Sequence, residues 1–239
     1  MSEFDETLWM DEAYAQEYRD SADHVVQERQ LMYRMMVSFY ECFIGTGQSK
    51  HAVDLGCGDG AIANHLYRAD PSLQLTLLDG SEDMLNAARQ RFAQVPGTQF
   101  MLSTFEELIA GKTTMPNFDF IASAFAIHHL SLPGKIGLFA QIYDHLNEDG
   151  AFLNIDTVLP NNSVYTDWYY DFWREWIVRR QTRLNLPNDF AGVPEEARFK
   201  PENKLDTLQL QLEAMERIGF KEVECHYKMD IFVIFGGRK

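Results

Sequence analysis

The chain has few cysteines. Cys42, Cys57 and Cys225 are the only three in 239 residues, an odd number with no C-x-x-C pair, which argues against a disulfide framework. Long apolar runs are missing too, since no stretch approaches the roughly 20 residues that a membrane helix requires. The opening MSEFDETLWMDEAY has neither the basic nor the apolar stretch of a signal peptide. Basic residues are scarce, 21 against 36 acidic, for a formal net charge of −15. That field repels polyanions at long range and disfavours nucleic acid or an anionic membrane as a partner. Internal repeats and low-complexity tracts are also lacking. The expectation is a reduced, cytoplasmic protein. Its oligomeric state is left open, a homodimer included.

What is present is an ordinary globular composition, 46% hydrophobic and 24% charged, long enough for one large domain. Residues 11–44 carry apolar side chains at three- and four-residue spacing, from Val25 and Val26 to Phe39 and Phe43, which predicts a helix broken by Gly45-Thr46-Gly47. From residue 51 the chain alternates. Strands are predicted at 51–55, 73–79, 98–102, 118–124 and 150–156, with helices over 61–69, from Ser81 onward and over about 134–146. This alternation implies a parallel sheet with right-handed crossovers. An aromatic-rich helix is expected over 163–182, an irregular stretch marked by Pro187, Pro194 and Pro201 over 184–204, a helix over 205–218, and a closing pair of strands that turn near Met229-Asp230. Residues 157–204 then read as an insertion over the sheet edge.

The first strand runs into Asp54-Leu55-Gly56-Cys57-Gly58-Asp59-Gly60. Glycines let the backbone approach a ligand, and the following helix N-terminus offers free N–H groups. Asp79, closing the second strand, is suited to hold the two hydroxyls of a ribose. A dinucleotide is the first rival ligand, but the third glycine comes two residues after Gly58, not three. Asp54, two residues before the first glycine, would also repel a diphosphate and suits a cation better.

These segments resemble the class I S-adenosylmethionine-dependent methyltransferases. VDLGCGDG (53–60), LLDGSEDML (77–85), FDFIASAFAIHHL (118–130), LNEDGAFLNID (146–156) and the ending IGFKEVECHYKMDIFVIFGGRK are similar to successive segments of that family. The resemblance implies a Rossmann-like α/β three-layer sandwich, whose seven-stranded, mostly parallel sheet has an antiparallel last strand. Domain organisation follows as an N-terminal helical lid segment over 1–48 and a cofactor-binding domain over 49–239. The implied cofactor is S-adenosylmethionine, and the implied partner a small-molecule methyl acceptor. Gly56, Gly58 and Gly60 would cradle its methionine part with Asp54 shaping the loop and Cys57 a small filler, Asp79 would hold the ribose, and Gly80 and Met84 would pack beside the adenine. Thr104 and Phe105 would follow strand three, where relatives often carry an acid, and Ala124 would lie beside the cofactor.

A methyl on a sulfonium is already activated, so catalysis rests on alignment plus a base where the acceptor has a proton to lose. His128 and His129 are the candidate bases, with Asp156 behind them. No third ligand is spaced to make the two histidines a metal site. In the aromatic helix, Tyr165, Trp168, Tyr169, Tyr170, Phe172, Trp173 and Trp176 outnumber what one face buries; Trp168, Tyr169 and Trp173 are expected in a lid wall over the acceptor. Arg174, Arg179 and Arg180 read as solvated. Tyr14 and Tyr18, four apart, would face the same pocket from a segment, 9–20, that orders when cofactor binds. Two alternatives stay open: a carboxy-S-adenosylmethionine synthase-like enzyme, for which Arg198 would pair with the extra carboxylate, and a non-catalytic cofactor-binding module.

Overall fold

The computed structural model describes Thr7, Gln16, residues 21–187 and residues 189–239. The segment 9–20 expected to form a lid, with Tyr14 and Tyr18, lies outside the described residues apart from Gln16.

The predicted strands form, with small shifts at their ends. They are β1 (His51–Leu55), β2 (Gln74–Asp79), β3 (Gln99–Leu102), β4 (Phe118–Ala124), β5 (Leu146–Thr157), β6 (Lys221–Met229) and β7 (Phe232–Arg238). They make one seven-stranded sheet in the order β3-β2-β1-β4-β5-β7-β6, and β7 runs against both of its neighbours. This is the sheet the resemblance implied.

The central strands are apolar on both faces because helices cover both. Side chains alternate with a period of two. Ala52, Phe120, Leu153 and Ile234 enter one core, and Val53, Ile121, Phe152 and Val233 the other. The first core is completed by helices α1 (Arg29–Phe39), α2 (Ala61–Ala69), α3 (Glu82–Arg91) and α6 (Thr166–Leu184). The second is completed by α4 (Phe105–Ile109), α5 (Leu132–His145) and α8 (Leu208–Ile218).

Three expectations need correction. The single helix over 11–44 is broken at 26–28, where Glu28 takes φ +50, and it ends in a wider π turn at Tyr40–Ile44. The break lets Val25 and Val26 as well as Met32 and Met36 reach the same core. The stretch 184–204 contains a helix, α7 (Val193–Phe199). Pro194 starts it, because a proline in the first turn withholds an N–H that had no helical partner anyway. Finally, the inward aromatics of α6 pack into the core rather than line a cavity wall. Tyr170, Trp173 and Ile177 are core residues, and Trp173 Nε1 donates to the Val25 carbonyl at 2.7 Å while its ring meets Phe232 edge-on.

Candidate active site

The C-terminal ends of the parallel strands open into a cavity of about 830 Å³. Open α/β sheets bind ligands at this end, where strand order reverses; here β1 has β2 on one side and β4 on the other.

The loop after β1 forms the floor. Gly56 takes φ +66 and Gly58 φ +53, both in the left-handed region. A Cβ on Gly56 would lie 2.4 Å from the Ala126 Cβ, so packing as well as torsion demands glycine. Among the described residues, its chain neighbours aside, only Met84 Sδ comes within 4 Å of such a Cβ on Gly58, at 3.9 Å, so the bare Cα leaves cavity space open. Gly60 has another task. It does not line the cavity; at φ +79 it turns the chain into α2, and Phe92 and Leu77 fill the place of its side chain.

Two carboxylates sit beneath the loop. Asp79 accepts N–H bonds from Gly58 and Ser81, each at 2.8 Å, which fixes the loop to the end of β2. Burial pushes its carboxyl up, and these N–H groups temper the rise. Asp54 accepts from the Ala63 amide at 3.2 Å through Oδ2, while Oδ1 is buried without a hydrogen-bond partner among the described residues. Burial, with Asp79 and Asp59 nearby, pushes its carboxyl up to about 8. An orphaned acceptor next to other acids is costly by itself and is relieved by a cation. This pair of acceptors therefore fits a ligand that carries an ammonium and the hydroxyls of a ribose.

Gly80, Met84, Thr104, Phe105 and Ala124 line the same cavity, as does Cys57. Burial and the neighbouring acids push the Cys57 thiol well up, as expected for inert packing. Thr104 does not replace the missing acid. Its hydroxyl accepts from the Glu107 amide and Glu107 returns a bond to the Thr104 amide, a reciprocal cap on α4.

The two histidines part ways. Both lie on the 3₁₀ turn Ile127–His129 after β4, ring centroids 4.1 Å apart. His128 Nδ1 sits 2.5 Å from Asp156 Oδ1, and neither residue lines the cavity. His129 does line it, and its Nδ1 lies 3.1 Å from the Glu202 carbonyl oxygen. A carbonyl only accepts, so Nδ1 carries the proton and Nε2 the lone pair. Burial, then His128 beside it, holds His129 well below the usual histidine range, in its neutral form.

Trp168, Tyr169 and Trp173 do not line this cavity. Trp168 is 60% exposed on the outer side of α6, and Trp173 is in the core. Arg198 is turned away as well, bonded to Asp167 and lying over the Tyr170 ring. The described residues contain no cluster of histidines, cysteines and acids fit for a metal. Sequence reasoning missed Arg29, Tyr33, Phe125, Glu202 and Lys204, all of which line the cavity. Phe125 is the plainest case. It takes φ +56, a strained conformation for a bulky residue, yet in FDFIASAFAI it looks like more strand.

A family model described as a methyltransferase domain matches residues 53–152, the segment that builds this cavity floor. The chain is 30% identical over 196 residues to the demethylmenaquinone methyltransferase of Leptospira interrogans, covering 76% of this chain and 71% of that protein. It is 26% identical over 195 residues to the carboxy-S-adenosyl-L-methionine synthase of Nautilia profundicola, covering 77% and 74%. Among solved structures, an O-methyltransferase family protein from Burkholderia thailandensis superposes with a TM-score of 0.68 at 14% identity, covering 97% of this chain. This chain spans only 61% of that protein's length, and at such identity the likeness is one of fold. Other solved chains of this fold hold S-adenosylmethionine or S-adenosylhomocysteine. Fold, loop and relatives agree: the chain belongs to the class I S-adenosylmethionine-dependent methyltransferases, with S-adenosylmethionine as its cofactor. No helix among the described residues is long and apolar enough to cross a membrane.

Proposed function

We propose that the protein transfers a methyl group to a proton-bearing small-molecule acceptor, with His129 as the general base. The observation that carries this reading is that one cavity contains both the Asp54–Gly58 loop and a histidine whose Nδ1 is engaged by a carbonyl. When bound, S-adenosylmethionine supplies a methyl group already activated by its sulfonium. Asp54 then pairs with the ammonium, Asp79 accepts from the ribose hydroxyls, and the bare Cα of Gly58 admits the chain between them. His129 Nε2 takes the proton that the acceptor gives up. Because burial keeps this imidazole neutral, the base is not lost to protonation until the pH falls well below the usual histidine range.

The test uses a panel of small acceptors with a labelled methyl donor. Once one turns over, His129→Gln should bind S-adenosylhomocysteine normally and lose about 10²–10⁴ in rate. An unchanged rate would remove His129 from the role. The synthase-like alternative is supported by the relative from Nautilia, but Arg198 is not placed to meet a ligand carboxylate in this cavity. Mass spectrometry of the nucleoside product, with small carboxylic acids added as carboxyl donors beside the acceptors, separates the readings: S-adenosylhomocysteine marks methyl transfer, a carboxylated sulfonium marks the synthase, and bound cofactor with neither product favours a binding module.

A further inference from the structure

Lys135 stands on α5 with its side chain 1% exposed, on the helix that gives Leu138, Phe139 and Ile142 to the core. A buried ammonium is expensive unless paired. Its Nζ donates to the Lys204 carbonyl and to the Asp206 carboxylate. Such a buried ion pair gives little net stability over an apolar replacement, and its best-attested use is to fix register.

What it holds in register is the strap of residues 200–206 between α7 and α8. The strap has further ties as well. The Lys204 amide donates to the His128 carbonyl at 2.9 Å, the Leu159 amide donates to the Asp206 carbonyl at 2.9 Å, and the Glu202 carbonyl accepts from His129 Nδ1. Pro201, Glu202 and Lys204 form a wall of the cavity, whereas Lys135 does not reach it.

We propose that Lys135 is a positioning residue, whose ammonium clamps the 200–206 strap so that the Glu202 carbonyl keeps the His129 proton on Nδ1 and its lone pair on Nε2. Its catalytic meaning rests on His129 being the base, but the positioning claim is read without any acceptor. The experiment is long-range ¹⁵N–¹H spectroscopy of the full-length, histidine-labelled protein saturated with S-adenosylhomocysteine, His129 being assigned by its loss in His129→Gln.

The wild type should show one His129 tautomer, protonated at Nδ1. Lys135→Met should populate the Nε2–H tautomer and speed exchange of the Lys204 amide about tenfold. Affinity for S-adenosylhomocysteine should stay within about twofold, because the cofactor loop is built from β1 and β2. A general loss of packing would not move one proton between two ring nitrogens. A folded Lys135→Met protein with a single Nδ1–H tautomer and unchanged exchange at Lys204 overturns the proposal. Should that variant fail to fold, Asp206→Asn removes the carboxylate from a partly exposed position, and an unaltered tautomer there overturns it equally. Full turnover in His129→Gln would instead refute the base assignment and leave the clamp standing.

Discussion

At the scale of single residues the most informative group is Asp54, a carboxylate that the fold leaves half-satisfied. An unfolded aspartate titrates near 3.9, and in the folded chain this one is raised to about 8. Between these values the folded state holds a proton that the unfolded state lacks. Stability of the ligand-free protein should therefore fall as pH rises across that window, by up to about 1.4 kcal/mol per pH unit. Asp79, also raised, adds to the same trend. A bound ammonium favours the ionised form, so binding S-adenosylhomocysteine at pH 7 should release a proton, and affinity should tighten towards pH 8. Calorimetry in two buffers of different ionisation enthalpy counts that proton. Asp54→Asn should release clearly less and should make the stability slope shallower, Asp79 carrying what remains. Proton uptake, or release undiminished in the variant, would contradict the assignment. Asp54 itself was legible in the sequence from its place before Gly56. The burial that makes it a proton switch was not, because its neighbours Asp79 and Ala63 come from other turns of the chain.

At the scale of elements the informative case is α6. Its dense aromatics suggest a wall over a ligand, yet the helix lies on the sheet beside β7 and the N-terminal segment, with Tyr170, Trp173 and Ile177 facing inward. Trp173→Ala should cost about 3–5 kcal/mol in unfolding free energy, with little change in S-adenosylhomocysteine affinity. Trp168→Ala, on the exposed side, should stay within about 0.5 kcal/mol. Urea unfolding with a parallel binding measurement distinguishes this from a lid, in which affinity or turnover would fall first. Aromatic count along a helix states how much apolar surface is available. It does not state which neighbour buries it, and here the neighbours are Val25 and Phe232, distant in sequence. Strands were easier to read. A strand buried on both faces is rich in apolar residues at successive positions, as Ala52-Val53, Leu77-Leu78 and Phe120-Ile121-Ala122 are in β1, β2 and β4.

At the scale of the whole molecule, ligand binding is linked to stability. Saturation with S-adenosylhomocysteine at about a hundred times its Kd should add about 2.7 kcal/mol. For a chain of this size that corresponds to a rise in Tm of about 5–11 °C. NADH should give no shift, and a shift from NADH alone would return the loop to dinucleotide binding. The net charge of −15 belongs to this scale too, and the cavity shares it through Asp23, Asp54, Asp59 and Asp79.

The sequence by itself determined the order of the strands and of most of the helices between them, the glycine loop after β1, the acid at the end of β2 and the histidine pair after β4. These are local features: each needs only hydrophobic period, a turn residue or a spacing of a few positions. Only the tertiary structure decided that Gly60 packs against Phe92 instead of a ligand, that Thr104 caps α4, that His128 turns to Asp156 while His129 faces the cavity, and that Lys135 ties the strap beneath them. Adjacent residues on one short turn carry side chains in different directions. What each one meets is set by β5 and the 200–206 strap, which reach it only when the sheet has closed.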